Sequence, residues 1–211
     1  MFRLVKAAGT NIAPDMRPLV PEHLDEAVSL LVSAFQDRPF YRYIAPGKPE
    51  RLAFLASNFR SRLEHSLETS EIDLAFLGRR IAGIAVWVPP VDTPPPEDHA
   101  MEETLRDFSP GLKKRFTAFL DTLAAARDRV VAGPCWALAP IAVLPEAQGT
   151  GIASALIRKK LAEIDAVSQP CFLGTQDTVN MEIYAHYGFR KAREDPLSPD
   201  ITHYTMIRPG G

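Results

Sequence analysis

Residues 143–157 read VLPEAQGTGIASALI. An apolar run ends at Val143, Pro145 cannot continue a ladder, glycines stand at 149 and 151, and a helical pattern starts at once. A strand that turns through glycines into a helix leaves the first helical N–H groups without intrahelical partners. Such a turn holds phosphate well, because glycine lets the backbone come close and the helix start carries roughly half a positive charge. Successive N–H groups of Gly149, Thr150, Gly151, Ile152 and Ala153 are expected to face that ligand, with the Gln148 amide as a further donor. The helix buries Ile152, Ala153, Leu156, Ile157, Leu161 and Ile164, and its pattern turns Arg158, Lys159 and Lys160 outward.

Outward from this turn, CWALAPIAVLP (135–145) reads as a strand with a bulge or irregular edge at Pro140. PCFLGT (170–175) is a short buried strand, VNMEIYAHYGF (179–189) a helix closed at Gly188, and THYTMIRP (202–209) a final strand. Upstream, Leu24, Ala27, Val28, Leu31 and Phe35 mark a helix that ends by Arg38, because Pro39 restricts the residue before it. RPFYRYIAPGKP (38–49) reads as a loop carrying Phe40, Tyr41 and Tyr43. Leu52, Leu55, Phe59, Leu63 and Leu67 mark the next helix. IDLAFLG (72–78) and IAGIAVWVP (81–89) are strands joined at Gly78-Arg79-Arg80.

Prolines crowd residues 89–96, and a helix with Leu112, Phe116, Phe119, Leu120 and Leu123 on one face follows, starting at LKKRF (112–116). The order is α, α, β, β, an insertion at about 89–133, then βαβαβ(β). This is an α/β chain with a mixed sheet, expected to form one domain over 1–211.

With 211 residues, 46% hydrophobic, 24% charged and a net charge of −2, the chain has an ordinary globular composition. It lacks the basic excess of a nucleic-acid protein. No apolar run approaches the roughly 20 residues that span a bilayer, and a cytoplasmic location is expected. Cys135 and Cys171 show no metal spacing, nor do the five histidines, so no metal is expected.

Two signatures carry a resemblance. Val143-x-Pro145-x-x-Gln148-x-x-Gly151-x-Ala153 resembles the acyl-CoA motif of the GCN5-related N-acetyltransferases, and Asn180-Met-Glu-Ile-Tyr184-Ala-His-Tyr-Gly188-Phe189 resembles that family's second signature. The similarity runs from about Trp136 to Phe189. IAVWVPP and CWALAPIAVLPEAQGTG are similar to puromycin N-acetyltransferase-like members. The resemblance implies a mostly antiparallel sheet flanked by helices, with two splayed parallel strands holding acetyl-CoA as co-substrate. Ile141, Ala142 and Val143 would then offer backbone groups to the pantetheine arm.

The implied reaction is acetyl transfer to a primary amine by direct attack, since neither signature holds a cysteine to carry the acyl group. A small-molecule acceptor is favoured by an insertion that would enclose a pocket. A protein N-terminus or lysine is the alternative acceptor, and a non-catalytic acyl-CoA sensor the alternative function. Either a monomer or a homodimer fits.

Tyr184 is the candidate proton donor to the leaving thiolate, with Asn180 one turn earlier. Phe35, Tyr41 and Trp87 are candidates to line the acceptor pocket. The resemblance implies Leu-Glu-Thr where this chain has Leu173-Gly174-Thr175, so a carboxylate that would orient the amine or relay its proton is missing. A water chain, Asp73 or Glu182 remain as bases. His186 falls on a different helix face from Tyr184 and reads as solvated.

Overall fold

The computed structural model describes residues 14–90 and 103–210. Its strands are β1 (Asp15–Pro18), β2 (Glu71–Leu77), β3 (Arg80–Val88), β4 (Trp136–Val143), β5 (Cys171–Thr175), β6 (Arg190–Ser198) and β7 (Ile201–Arg208). They form one sheet in the order β1-β2-β3-β4-β5-β7-β6. Every neighbouring pair is antiparallel except β4 with β5. β3 is buried without interruption from Ile81 to Trp87, which requires cover on both sheet faces. Helices α1 (Leu24–Phe35) and α3 (Lys48–Thr69) pack on each other and against this region, and α5 (Ile152–Ala166) packs on β2, β3 and β4.

Gly83 sets how closely α5 approaches. A Cβ there would stand 2.6 Å from Ile152 Cγ2 and 3.2 Å from a Leu156 methyl. The start of α5, and with it the glycine turn, therefore rests directly on β3.

Residues 38–49 are not a continuous loop, because α2 (Pro39–Ile44) lies within them. Arg38 is extended (φ −69°, ψ 139°), which ends α1, and the same proline then takes the first position of a new helix, where its missing N–H costs nothing. Two guanidinium groups hold the end of α2. Buried Arg51 donates to the carbonyls of Gln36 (2.7 Å), Ala45 (2.8 Å) and Pro46 (2.9 Å). Arg115 donates twice to Ile44, at 2.8 and 3.0 Å.

The helix expected within residues 89–133 is α4 (Pro110–Val130). Its Leu112 and Phe116 pack with Phe40, Ile44, Phe54 and Ile201 in a second apolar cluster. The proline-rich residues 91–102 lie outside the described residues.

Lys160 corrects the outward assignment made for it. It is 2% exposed, pairs with Glu71 and with Glu163 (2.5 Å), and sits 5.1 Å from the Trp136 ring. The helix period placed it towards solvent, but the end of β2 covers that face. Strands β1 and β6 have no apolar alternation to read. β1 is a four-residue edge containing Pro18, and β6 is a mostly exposed edge containing Pro196.

Candidate active site

The parallel pair β4–β5 holds together only from Trp136/Cys171 to Leu138/Leu173. Beyond that the strands part. On the other side of β4, Ala85 faces Ile141 and Trp87 faces Leu138, so Ala139 and Pro140 together oppose Val86 and make the expected bulge. The opening leads into a cleft of about 470 Å³. Ala139, Pro140 and Ile141 line it from β4, and Gly174 and Thr175 from β5. Ala142 and Val143 stay buried against β3.

The glycine turn stands at the end of β4. Pro145–Ala147 form one 3-10 turn, and Gly149 (φ 78°) and Gly151 (φ 92°) take left-handed conformations that disfavour any side chain. Thr150 Oγ donates to the Ala147 carbonyl at 2.6 Å and closes the turn. Among the described residues, no acceptor meets the N–H of Gly149, Thr150, Gly151, Ile152, Ala153 or Ser154. Gln148 folds its amide back to the Val143 carbonyl at 3.3 Å.

Helix α6 (Thr178–Ala185) starts at Asp177, whose carboxylate accepts from Val179 N–H (2.9 Å) and from Arg38 (3.1 Å). Asn180 and Tyr184 both line the cleft. Tyr184 is 9% exposed, its ring packs edge-on to Phe189 at 6.1 Å, and its hydroxyl has no partner among the described residues. Burial pushes its phenol up to about 12; Arg38 opposes this and Asp177 adds to it.

On the opposite wall, the Phe35 ring stands 5.6 Å from Tyr41 and 5.4 Å from Phe59, and all three line the cleft. Burial likewise pushes the Tyr41 phenol up to about 12, against the pull of Arg62. Phe116, Phe119 and Leu123 of α4 complete this side.

Trp87 is not part of it. Its side chain is fully buried in the core, at the position where β3 pairs with Leu138 of β4 and Glu71 of β2. Asp73 is also elsewhere. It is nearly buried and pairs with Lys159 of α5 at 2.5 Å. Glu182 is exposed and outside the cleft lining. Neither carboxylate stands where it could act on a ligand of the cleft. His186 is exposed, as expected. Arg38, Asn58, Arg62 and His203 line the cleft unannounced by any motif.

No family model matches the chain. Solved structures do. The Corynebacterium glutamicum "histone acetyltransferase HPA2 and related acetyltransferase" is 23% identical, with a TM-score of 0.69 over 95% of this chain and 98% of its own. A GCN5-related N-acetyltransferase from Rhodopseudomonas palustris is 14% identical, with a TM-score of 0.54 over 96% of this chain and 99% of its own. This chain has the GCN5-related N-acetyltransferase fold. The PaiA N-acetyltransferase of Thermoplasma acidophilum, solved with coenzyme A, superposes on it at 10% identity, with a TM-score of 0.59 over 94% of this chain and 99% of its own. In this GCN5-related fold, both sequence signatures lie at the parting of β4 from β5: one in the turn after β4, the other on the helix after β5.

Proposed function

We propose that the chain is an N-acetyltransferase that moves an acetyl group from acetyl-CoA to a primary amine of a small molecule. One observation carries this: β4 parts from β5 between a turn of unpaired N–H groups and a cleft lined by Tyr184 and aromatic rings. Six successive N–H groups at the start of a 15-residue helix are suited to a diphosphate. The free edge of β4 at Ile141 offers backbone groups for an amide-bearing arm to pair with. Asn180, at half-exposed depth in the cleft, has side-chain donors and acceptors for the same arm.

Attack by the amine on the thioester is direct. Cys135 and Cys171 are buried, line no part of the cleft and have thiols raised by burial, so neither serves as an acyl carrier. Two free buried thiols also suit a reducing, cytoplasmic setting. Among the described residues no helix is long and apolar enough to cross a membrane. The rings of Phe35, Tyr41, Phe59 and Phe119 favour an acceptor with an apolar or aromatic body.

The test is calorimetry with CoA, acetyl-CoA and NAD, followed by thiol release from acetyl-CoA with a panel of primary amines. That panel spans 2-phenylethylamine, tryptamine, agmatine, spermidine, lysine and an alanyl peptide. Expected are CoA binding, no NAD binding, and turnover of a small amine. CoA binding without thiol release from any amine would make the chain an acyl-CoA sensor, and turnover of the peptide alone would make it a protein acetyltransferase.

A further inference from the structure

β5 carries no carboxylate to take the proton of the acceptor amine, and Asp73 and Glu182 stand away from the cleft. Of the carboxylates that line the cleft, Asp177 is committed to Val179 N–H and Arg38, and Asp200 is exposed to solvent. We propose that His203 of β7 takes the proton. This rests on the transferase function proposed above.

The register brings His203 to the place. Gly174 pairs with Thr205 and Thr175 with Tyr204, so His203 lies diagonally across from Gly174. A Cβ on residue 174 would collide with Cε1 of the imidazole and stand 3.0 Å from Nε2. Only glycine leaves that space to the ring. The loss of a side chain on β5 and the presence of an imidazole on β7 are one arrangement.

The ring is fixed on three sides. Gly174 lies beneath it, Phe119 stands edge-on at a centroid distance of 5.8 Å, and Nδ1 lies 2.8 Å from the Gln176 amide nitrogen. The same amide turned by half a rotation presents its oxygen to Nδ1–H, and Nε2 then carries the lone pair. His203 is 1% exposed and borders the cleft, and its Nε2 has no partner among the described residues. Buried polar atoms are almost always paired, so an orphan nitrogen at the edge of a ligand cleft marks a ligand contact.

The surroundings keep the imidazole neutral. Burial lowers its pKa below the ordinary 6.5, with the Asp195 carboxylate on β6 opposing. Asp195 is itself tied to Arg193 at 2.8 Å. Of the other charged or titratable groups at the cleft, Asp177 is paired with Arg38, while Tyr41, Arg62, Asp200, Tyr184 and Tyr204 share the lining.

In the step proposed, Nε2 takes a proton from the acceptor nitrogen, whose lone pair forms the C–N bond at the thioester carbon. The C–S bond breaks, and the sulfur leaves with its electron pair. The imidazolium then returns the proton to solvent.

Thiol release is followed with 2-phenylethylamine, or with the panel amine turned over fastest, from pH 5 to 9. The wild type should show a low-pH limb in kcat, which reports the bound complex rather than the ionisation of the free amine, with an apparent pKa below 6.5. His203→Gln should lose about 10²–10⁴-fold in kcat and lose that limb, with acetyl-CoA affinity by calorimetry within twofold. His203→Ala should regain part of its rate on addition of imidazole, which a purely structural histidine would not show. Should His203→Ala fail to fold, His203→Gln carries the test. Wild-type kcat and limb in His203→Gln overturn the proposal, as does a rate loss matched by lost acetyl-CoA affinity. An inactive wild type overturns the transferase function and this step with it.

Discussion

Replacing Tyr184 by Phe removes one hydroxyl and keeps the ring that packs on Phe189. The phenol sits at about 12 because it is buried. An alkyl thiol titrates near about 8.5. Full transfer of the phenolic proton to a departing thiolate would thus run uphill by about 3.5 units, or about 5 kcal/mol at about 1.4 kcal/mol per unit. Tyr184 is therefore expected to donate a hydrogen bond to the thiolate as charge develops, and water supplies the proton later. Hydrogen bonds to charged groups contribute about 1.5–3 kcal/mol. That converts to a loss of about 10- to 150-fold in kcat. Acetyl-CoA affinity should stay within twofold. Stability towards urea should not fall, since the hydroxyl has no partner among the described residues to leave behind. Steady-state kinetics, calorimetry and urea unfolding on the one variant separate these effects. A kcat within twofold of wild type would remove Tyr184 from the reaction. A loss beyond about 10³-fold would show that the proton itself is transferred.

Gly151→Asp puts a side chain on a residue at φ 92° and a negative charge beside six unpaired N–H groups, so CoA affinity should fall at least about tenfold while circular dichroism stays unchanged. Arg51→Met strips three carbonyls of their donor, and about 3 kcal/mol of lost stability, or about 6–12 °C in Tm, is expected by calorimetric scanning. The phenols of Tyr41 and Tyr184, held at about 12 by burial, ionise in the unfolded chain near about 10. Both states are protonated below pH 10, so their contribution to stability is constant there. It is lost as pH rises from 10 towards 12, by up to about 2.7 kcal/mol per residue. Urea midpoints against pH should show this fall, and it should be shallower in Tyr41→Phe; equal slopes would refute the assignment.

What was legible in the sequence tracks how local the determining physics is. The turn from β4 into α5 could be read because φ values of 78° and 92° and a run of unpaired N–H groups are written into six consecutive residues. The bulge at Pro140 was legible for the same reason, since a residue without an N–H must break a ladder where it stands. Helix α2 was missed although its start is also local. Pro39 was counted once, as the end of α1, when a proline can both stop one helix and open the next. Trp87 and Lys160 were misplaced because their surroundings are set by other segments. Trp87 sits inside the sheet packing next to β4, and Lys160 is covered by Glu71, 89 residues away in sequence.

Gly174 shows the limit most sharply. Along the chain it registers as a subtraction, a strand lacking the carboxylate that the family resemblance leads one to expect there. Asp177, three residues on, lines the cleft but its carboxylate is taken by Val179 N–H and Arg38, and Asp73 and Glu182 stand elsewhere in space. The replacement comes from the strand hydrogen-bonded beside it. Antiparallel pairing of β5 with β7 joins residues whose numbers sum to 379, which sets position 203 diagonally beside position 174. The pairing also puts an imidazole too large to coexist with any side chain at 174 into the cleft wall. A glycine that looks like missing function in one dimension is, across the sheet, the space a histidine needs. The pair should therefore behave as a unit: Gly174→Ala, which adds a single methyl, should displace the His203 ring and lower kcat towards the level of His203→Gln. In the double variant Gly174→Ala/His203→Gln, the second change should add little. Fully additive losses would mean that the two positions act separately.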